Sequence, residues 1–320
     1  MGSRGVKSEG MRTIPFLVAA VALLLALPAS AAARSADYLT GTESLLAGTT
    51  LSVRDGGESE ILQRVILRGK IPIPGPDQWV TVEVQREGKP IRIRTLRTDP
   101  VTGHYRMPLR LKGCCQYVAR AVHGSDVSNS VPFTATVPET LEDGTRQALL
   151  FNQLLKRAGY HMPDEVSDQQ DWSTGLAVMA MRKTLDLPRT EAYHPDLFEL
   201  LLKGEAEFEP VHTEEGRHVE VDISRQVMAL VEDGEATDVF HVSTGAGGTP
   251  TGQWQFYSYG PGYNAKGMYY SIYYDGNYAT HGFSSVPTYP ASHGCTRNPI
   301  PYSTFIYDWI DLGDTIYVYA

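Results

Sequence analysis

A chain of 320 residues with 28 lysines and arginines against 37 aspartates and glutamates has a formal charge of −9 and lacks the basic excess of a nucleic-acid binder. Apolar residues make up 42% and charged residues 20%, enough to bury cores in two or three domains and too apolar for disorder. Three cysteines exclude a disulfide scaffold or a four-ligand zinc site, and a single long apolar run excludes a multi-span membrane protein.

Residues 1–33 read as an export signal. Arg4, Lys7 and Arg12 form a positive start, and Ile14 to Leu27 is an uncharged run of 14 residues. Pro28 and the small-x-small string Ala29-Ser30-Ala31 then supply a cleavage pattern. Met11 is an alternative start. The run is shorter than the roughly 20 residues of a membrane span, so membrane contact is expected only through this segment. Without residues 1–31 the chain keeps 25 basic and 36 acidic residues. The expected location is outside the cytoplasm, in the periplasm or cell wall.

Residues 45–138 are expected to form a β-sandwich. Trp79 to Gln85 alternates apolar and polar, Glu87-Gly88 turns the chain, and Ile91 to Arg94 alternates again. Tyr117 to Val122 and Val131 to Val137 read as two more strands. The pattern resembles the immunoglobulin-like modules of exported bacterial proteins. Cys114 and Cys115 are neighbours and would point to opposite faces of a strand, so one buried and one more exposed thiol is the expectation, with a disulfide as the alternative.

Over residues 141–207 the period becomes helical. Leu150, Phe151, Leu154, Leu155 and Ala158 share a face, and Gly159 stops the helix. Ser173 or Thr174 caps a second helix, and Pro195-Asp196 opens a third that Gly204 ends. The strings Asn152-Gln153-Leu154-Leu155, Gly159-Tyr160 and Thr174 to Met181 resemble a three-helix peptidoglycan-binding domain. Met181 and Arg182 stand where that family has Phe and Gln, and Asp164 to Trp172 replaces its glycine-rich loop. The module is read either as a wall binder or as a structural brace for the C-terminal module.

Residues 213–320 are expected to be mainly β. His218 to Ile223 alternates, Val227 to Val231 is apolar, and Asp233-Gly234 is a hairpin turn before Val239 to Val242. Further strands are expected at Trp254 to Tyr257, Met268 to Tyr274 and Thr315 to Val318, with a short helix at Tyr302 to Ile310. The chemistry lies in Ser292-His293-Gly294-Cys295-Thr296-Arg297, with His281-Gly282 upstream. A lone cysteine beside glycine and two histidines is a candidate nucleophile, because a thiol needs a base to react at neutral pH. Gly294 permits a sharp turn whose N–H groups can face an oxyanion. Two histidines and a cysteine lack the fourth ligand of a zinc site, so no metal is expected.

Together with Ser243-Thr244-Gly245 and Thr249-Pro250-Thr251-Gly252, these strings resemble the L,D-transpeptidase catalytic domain of the YkuD type. The whole reads as a multidomain chain: signal peptide, β-sandwich, three-helix module and catalytic domain. The resemblance implies that Cys295 attacks the third residue of a tetrapeptide stem in peptidoglycan and releases D-alanine. The thioester then passes to a second stem's side-chain amine, giving a 3→3 cross-link, with cell-wall synthesis and cell shape as the biological setting. It gives His281 the role of general base and acid, and the backbone of His293, Gly294 and Cys295 that of oxyanion hole. Ser292 and Arg297 organise the loop and meet a donor carboxylate. An L,D-carboxypeptidase, or attachment of an envelope protein, would use the same residues, and no cofactor is implied. Thirteen of the 18 tyrosines lie between Tyr257 and Tyr319. Tyr270 and Tyr274 are candidate substrate contacts, since a tyrosine offers an apolar body and a polar tip; core packing is the competing role.

Overall fold

The computed structural model describes residues 48–53 and 57–320. The expected export signal lies outside the described residues. The first strands are β1 (Thr50–Val53), β2 (Glu58–Glu60), β3 (Arg64–Lys70), β4 (Trp79–Arg86) and β5 (Lys89–Arg97). They continue with β6 (His104–Arg110), β7 (Cys115–His123), β8 (Asp126–Val127) and β9 (Val131–Thr136). One sheet has the order β1-β3-β6, and the other β2-β9-β7-β4-β5 with β8 beside β7. The period of two decides what is buried: Val80, Val82 and Val84 of β4 face Val65 and Leu67 of β3 and Met107 and Leu109 of β6 across the core. Strand β6 is not evident in the sequence, because Pro108 interrupts it; the edge position accommodates the missing donor.

Cys114 and Cys115 differ from the expectation of separate thiols: they are joined in a disulfide. Cys115 has φ 147°, outside regular strand geometry, so the pair is not held on opposite faces.

Three helices follow, α1 (Arg146–Arg157), α2 (Trp172–Thr184) and α3 (Pro195–Lys203). Thr145 caps α1 by accepting from the Ala148 N–H. The cap of α2 is Asp171, not Ser173 or Thr174: its carboxylate accepts from the N–H groups of both. Aspartate at this position satisfies two orphan donors at once. His194 caps α3, and Gly204 ends it in the left-handed conformation.

The C-terminal part contains β10 (Arg217–Asp222), β11 (Val227–Glu232), β12 (Glu235–His241), β13 (Gly252–Gln255) and β14 (Ser258–Tyr263). Then come β15 (Tyr269–Asp275), β16 (Tyr278–Phe283), β17 (Thr296–Pro299), α4 (Ile300–Trp309) and β18 (Thr315–Tyr319). A five-stranded sheet, β12-β11-β10-β18-β13, packs on a four-stranded sheet, β14-β15-β16-β17. Strand β11 is buried on both sides. Met228 and Leu230 meet Phe256, Ile272 and Ile306, whereas Val227, Ala229 and Val231 join the apolar cluster of the helices.

The three-helix segment is therefore not self-contained. One apolar cluster runs from the sandwich through Phe151 and Phe198 to the outer face of β11 and β12. The chain seals this junction with backbone bonds: the Val239 N–H donates to Gly159 O at 2.7 Å and the His161 N–H to Val239 O at 3.2 Å. Gly159 is required there. It has φ +84°, and a Cβ on it would lie 2.7 Å from Ala236 O.

Candidate active site

Cys295 immediately precedes β17, which runs parallel to β16 with Arg297 opposite His281. The pairing brings the two candidate catalytic residues to the same wall of a cavity of about 630 Å³. His293, Arg297, Lys266 and Tyr278 also line it. A larger cleft of about 960 Å³ lies between the C-terminal ends of the helices and the β11–β12 turn, but no cysteine or histidine lines it.

The loop that carries Cys295 is held mainly by backbone. Ala291 and Ser292 N–H groups both donate to Thr244 O, at 2.8 and 2.9 Å, and Ser243 exchanges two 2.9 Å bonds with Arg297. The Ser292 hydroxyl donates to Cys295 O at 2.6 Å and accepts from the Gly294 N–H at 3.0 Å. Ser292 thus closes the turn from within. Gly294 has φ +126°, and a Cβ there would overlap the Tyr278 ring, so conformation and space both exclude a side chain.

Cys295 is partly buried, with Sγ 3.7 Å from Asn277 O. Burial pushes the thiol pKa up, while the Ala279 backbone N–H, Lys266 and Arg297 oppose that shift. His281 is 3% exposed, and burial lowers its pKa to about 4. Its Nδ1 lies 2.9 Å from Gly282 O. With Nδ1–H donating to that carbonyl, Nε2 is the free acceptor. At neutral pH the resting pair is a thiol and a neutral imidazole.

The segment between His281 and Ser292 is anchored from the helices. Arg189 Nη1 donates to Thr288 O at 2.6 Å. Lys183 of α2 is fully buried, with Nζ at 2.9 Å from Gln226 O, 2.8 Å from Val242 O and 2.6 Å from His241 Nδ1. His241 Nε2 lies 2.9 Å from Val286 O, in the same segment. Burial lowers the pKa of both Lys183 and His241. Gln226 extends the network toward the loop by donating to the Thr244 hydroxyl and accepting from the Thr244 N–H at 2.8 Å.

Of the residues singled out in sequence, Cys295, His281, His293, Ser292 and Arg297 meet in the cavity. Gly294 shapes the turn, but its N–H is engaged with Ser292. Tyr274 is not a substrate contact: it is 3% exposed in the core between the sheets, against Trp254 and Phe256. Tyr270 lies outside the cavity wall and packs edge-on against Tyr307 at 4.9 Å. Tyr278, Phe283 and Lys266 were not singled out. Phe283 carries the Arg297 guanidinium 4.1 Å above its ring. Tyr278 has a sequence signal in its place directly after the Asp275-Gly276-Asn277 turn; Lys266 has none.

Residues 216–318 match the family described as the L,D-transpeptidase catalytic domain, YkuD. This segment is an L,D-transpeptidase catalytic domain. The structure is similar to an L,D-transpeptidase from Xylanimonas cellulosilytica, with TM-score 0.52 and 28% identity, covering 57% of this chain and 98% of that one. A second likeness is to an L,D-transpeptidase from Stackebrandtia nassauensis, with TM-score 0.36 and 20% identity over 58% of this chain and 96% of that one. A third, from Mycobacterium smegmatis, has TM-score 0.29 and 12% identity over 86% of this chain and 100% of that one. No curated protein sequence matches. The similarity to the Xylanimonas structure extends beyond the L,D-transpeptidase domain, since it spans more of this chain than residues 216–318 do.

Proposed function

We propose that the protein is an exported cysteine L,D-transpeptidase that forms 3→3 cross-links between peptidoglycan stems. The observation that carries this reading is the single free cysteine beside a buried neutral histidine in one cavity of the L,D-transpeptidase domain. Cys295 Sγ attacks the carbonyl carbon of the third stem residue, and His281 Nε2 takes the thiol proton. The tetrahedral oxyanion faces the N–H groups of His293 and Cys295, which no acceptor among the described residues engages. Collapse breaks the amide bond, and His281 gives the proton to the departing D-alanine amine. The amine of a second stem then attacks the thioester, and the thiol is restored. One base serves both halves of the cycle.

The cavity lining supports an anionic stem as the substrate class. Lys266 and Arg297 line the cavity, and among the described residues no carboxylate does. A stem carboxylate therefore meets the fixed Arg297 fork and the Lys266 ammonium at the rim. The helical segment acts as a brace, because Arg189 directly, and Lys183 through His241, hold the 284–291 segment that leads into the nucleophile loop.

The test is mass spectrometry of the purified chain incubated with disaccharide-tetrapeptide, beside Cys295→Ala. A cross-linked dimer that has lost one D-alanine, absent with the variant, is the expected result. Tripeptide without dimer would replace transpeptidation by L,D-carboxypeptidation. Unchanged substrate in both reactions would overturn the enzyme reading.

A further inference from the structure

The charge of the chain is divided unequally. Residues 48–138 hold 13 basic and 8 acidic side chains, whereas residues 139–320 hold 11 and 26. The sandwich is thus positive by 5 in a protein whose remainder is strongly negative. The excess is concentrated on the solvent face of the β1-β3-β6 sheet. Register sets Arg64 opposite Arg110, Arg68 opposite Arg106 and Lys70 opposite His104, and all six are exposed. Like charges directly opposite one another on adjacent strands destabilise a sheet. Among the described residues none of these side chains has a carboxylate within ion-pair distance, although Arg97 and Arg120 on the other sheet do.

Edge protection does not account for this arrangement. Charged residues on edge strands prevent sheets from pairing with other chains. That explains the basic residues of β5 and of β6, each at the end of its sheet. It does not explain β3, which lies between β1 and β6. The face also continues into a cleft of about 490 Å³ lined by Arg68, Arg97, His104 and Arg106, with no acidic residue among the described residues.

We propose that this face binds a linear polyanion with a phosphodiester in each repeat, and so tethers the enzyme to its surroundings. The two arginine pairs lie four residues apart, about 13 Å along the strands, and Lys70 extends the track by about 7 Å. Such a row suits a chain of regularly spaced anions. Peptidoglycan stems carry amines as well as carboxylates and would be met best by a face of both signs; among the described residues this face has no acid on β3 or β6. Membrane docking would need exposed apolar side chains between the charges, and the residues there, Ile66 and Pro108, are half-buried. A polyanion is also repelled by the acidic remainder of the chain, which leaves the sandwich as its point of attachment. That the polymer belongs to the cell envelope rests on the exported-enzyme reading; the binding itself does not.

The experiment measures anisotropy of labelled poly(glycerol phosphate) titrated with the full chain, with its Arg64→Ser/Arg68→Ser/Arg106→Ser variant, and with Arg120→Ser. Binding should weaken roughly 50-fold between 50 and 200 mM salt, as release of about four counterions from a flexible strand requires. The triple variant should bind at least tenfold more weakly and Arg120→Ser like the parent. The triple variant should also melt no lower than the parent at low salt, because it relieves like-charge pairs, and should cross-link soluble tetrapeptide at the parent rate. Unchanged binding by the triple variant would overturn the proposal. So would tighter binding to anionic phospholipid vesicles, or to sacculi stripped of phosphate polymers, than to poly(glycerol phosphate). Loss of soluble cross-linking with polymer binding intact would place the face in catalysis and overturn it as well.

Discussion

At Gly294 one missing Cβ decides whether the nucleophile loop can close. Alanine there would occupy the Tyr278 ring position and adopt a disfavoured φ, so Gly294→Ala should lower Cys295 acylation at least 100-fold. Tyr278→Ala in the same chain should recover only part of it, because the φ strain remains; single-turnover acylation rates check both. The resting thiol and neutral imidazole give a second prediction. Alkylation of Cys295 by iodoacetamide, which needs the thiolate, should rise continuously from pH 6 to 9. The kcat/KM of cross-linking, which needs neutral His281, should instead be level through neutral pH and fall on an acid limb near pH 4. An acid limb near pH 7 would assign the base elsewhere. Cys295 and His281 were legible in sequence because their types and neighbours announce nucleophilic chemistry. Tyr274 was misplaced because a tyrosine packing a core and one facing a ligand look alike when strand register is unknown. Lys266 was invisible, since a surface lysine in a turn is the ordinary case.

The element that connects the helices to the chemistry is α2. Lys183 lies in the last turn of α2, where a lysine ordinarily complements the helix dipole from solvent. The fold instead buries it against β11 and β12, where its three partners include the imidazole that holds Val286. Lys183→Met should therefore destabilise the protein by at least about 2 kcal/mol, because two carbonyls and an imidazole nitrogen lose their donor. It should also slow acylation more than it raises KM. Arg189→Ala, removing a less buried anchor of the same segment, should reproduce the rate loss with a smaller change in Tm. Denaturant melts and single-turnover kinetics of the two variants separate these effects. Most strands and helices of the C-terminal part were legible, because their apolar runs end at glycine and aspartate turns. In the sandwich β3 and β6 were not, because arginines occupy their outer faces and Pro108 breaks the second.

Over the whole molecule a continuous core joins sandwich, helices and catalytic sheets, so buried histidines report on the stability of the assembly. His281 stays neutral to about pH 4 in the folded protein, and burial lowers His241 in the same direction. The unfolded chain, with histidines near pH 6.5, binds more protons below that value. The stability they contribute is full above about pH 6.5 and falls on acidification by up to about 1.4 kcal/mol per unit per histidine. Lys183, lowered by burial to about 6, adds a loss of the same sign between pH 8 and 6, so Tm should fall gradually from pH 8 and more steeply between pH 6.5 and 5, where the histidines join; a Tm that rises on acidification would contradict the burial of these neutral groups. The joining of modules was not legible, because separate periodicities suggest separate cores. The most direct test of the enzyme reading is the intact mass of the protein after brief exposure to disaccharide-tetrapeptide at neutral pH. The expected result is an adduct of the disaccharide-tripeptide acyl group, with D-alanine released, mapped to Cys295 and cleaved by hydroxylamine. Release of D-alanine without an adduct, undiminished in Cys295→Ala, would contradict it.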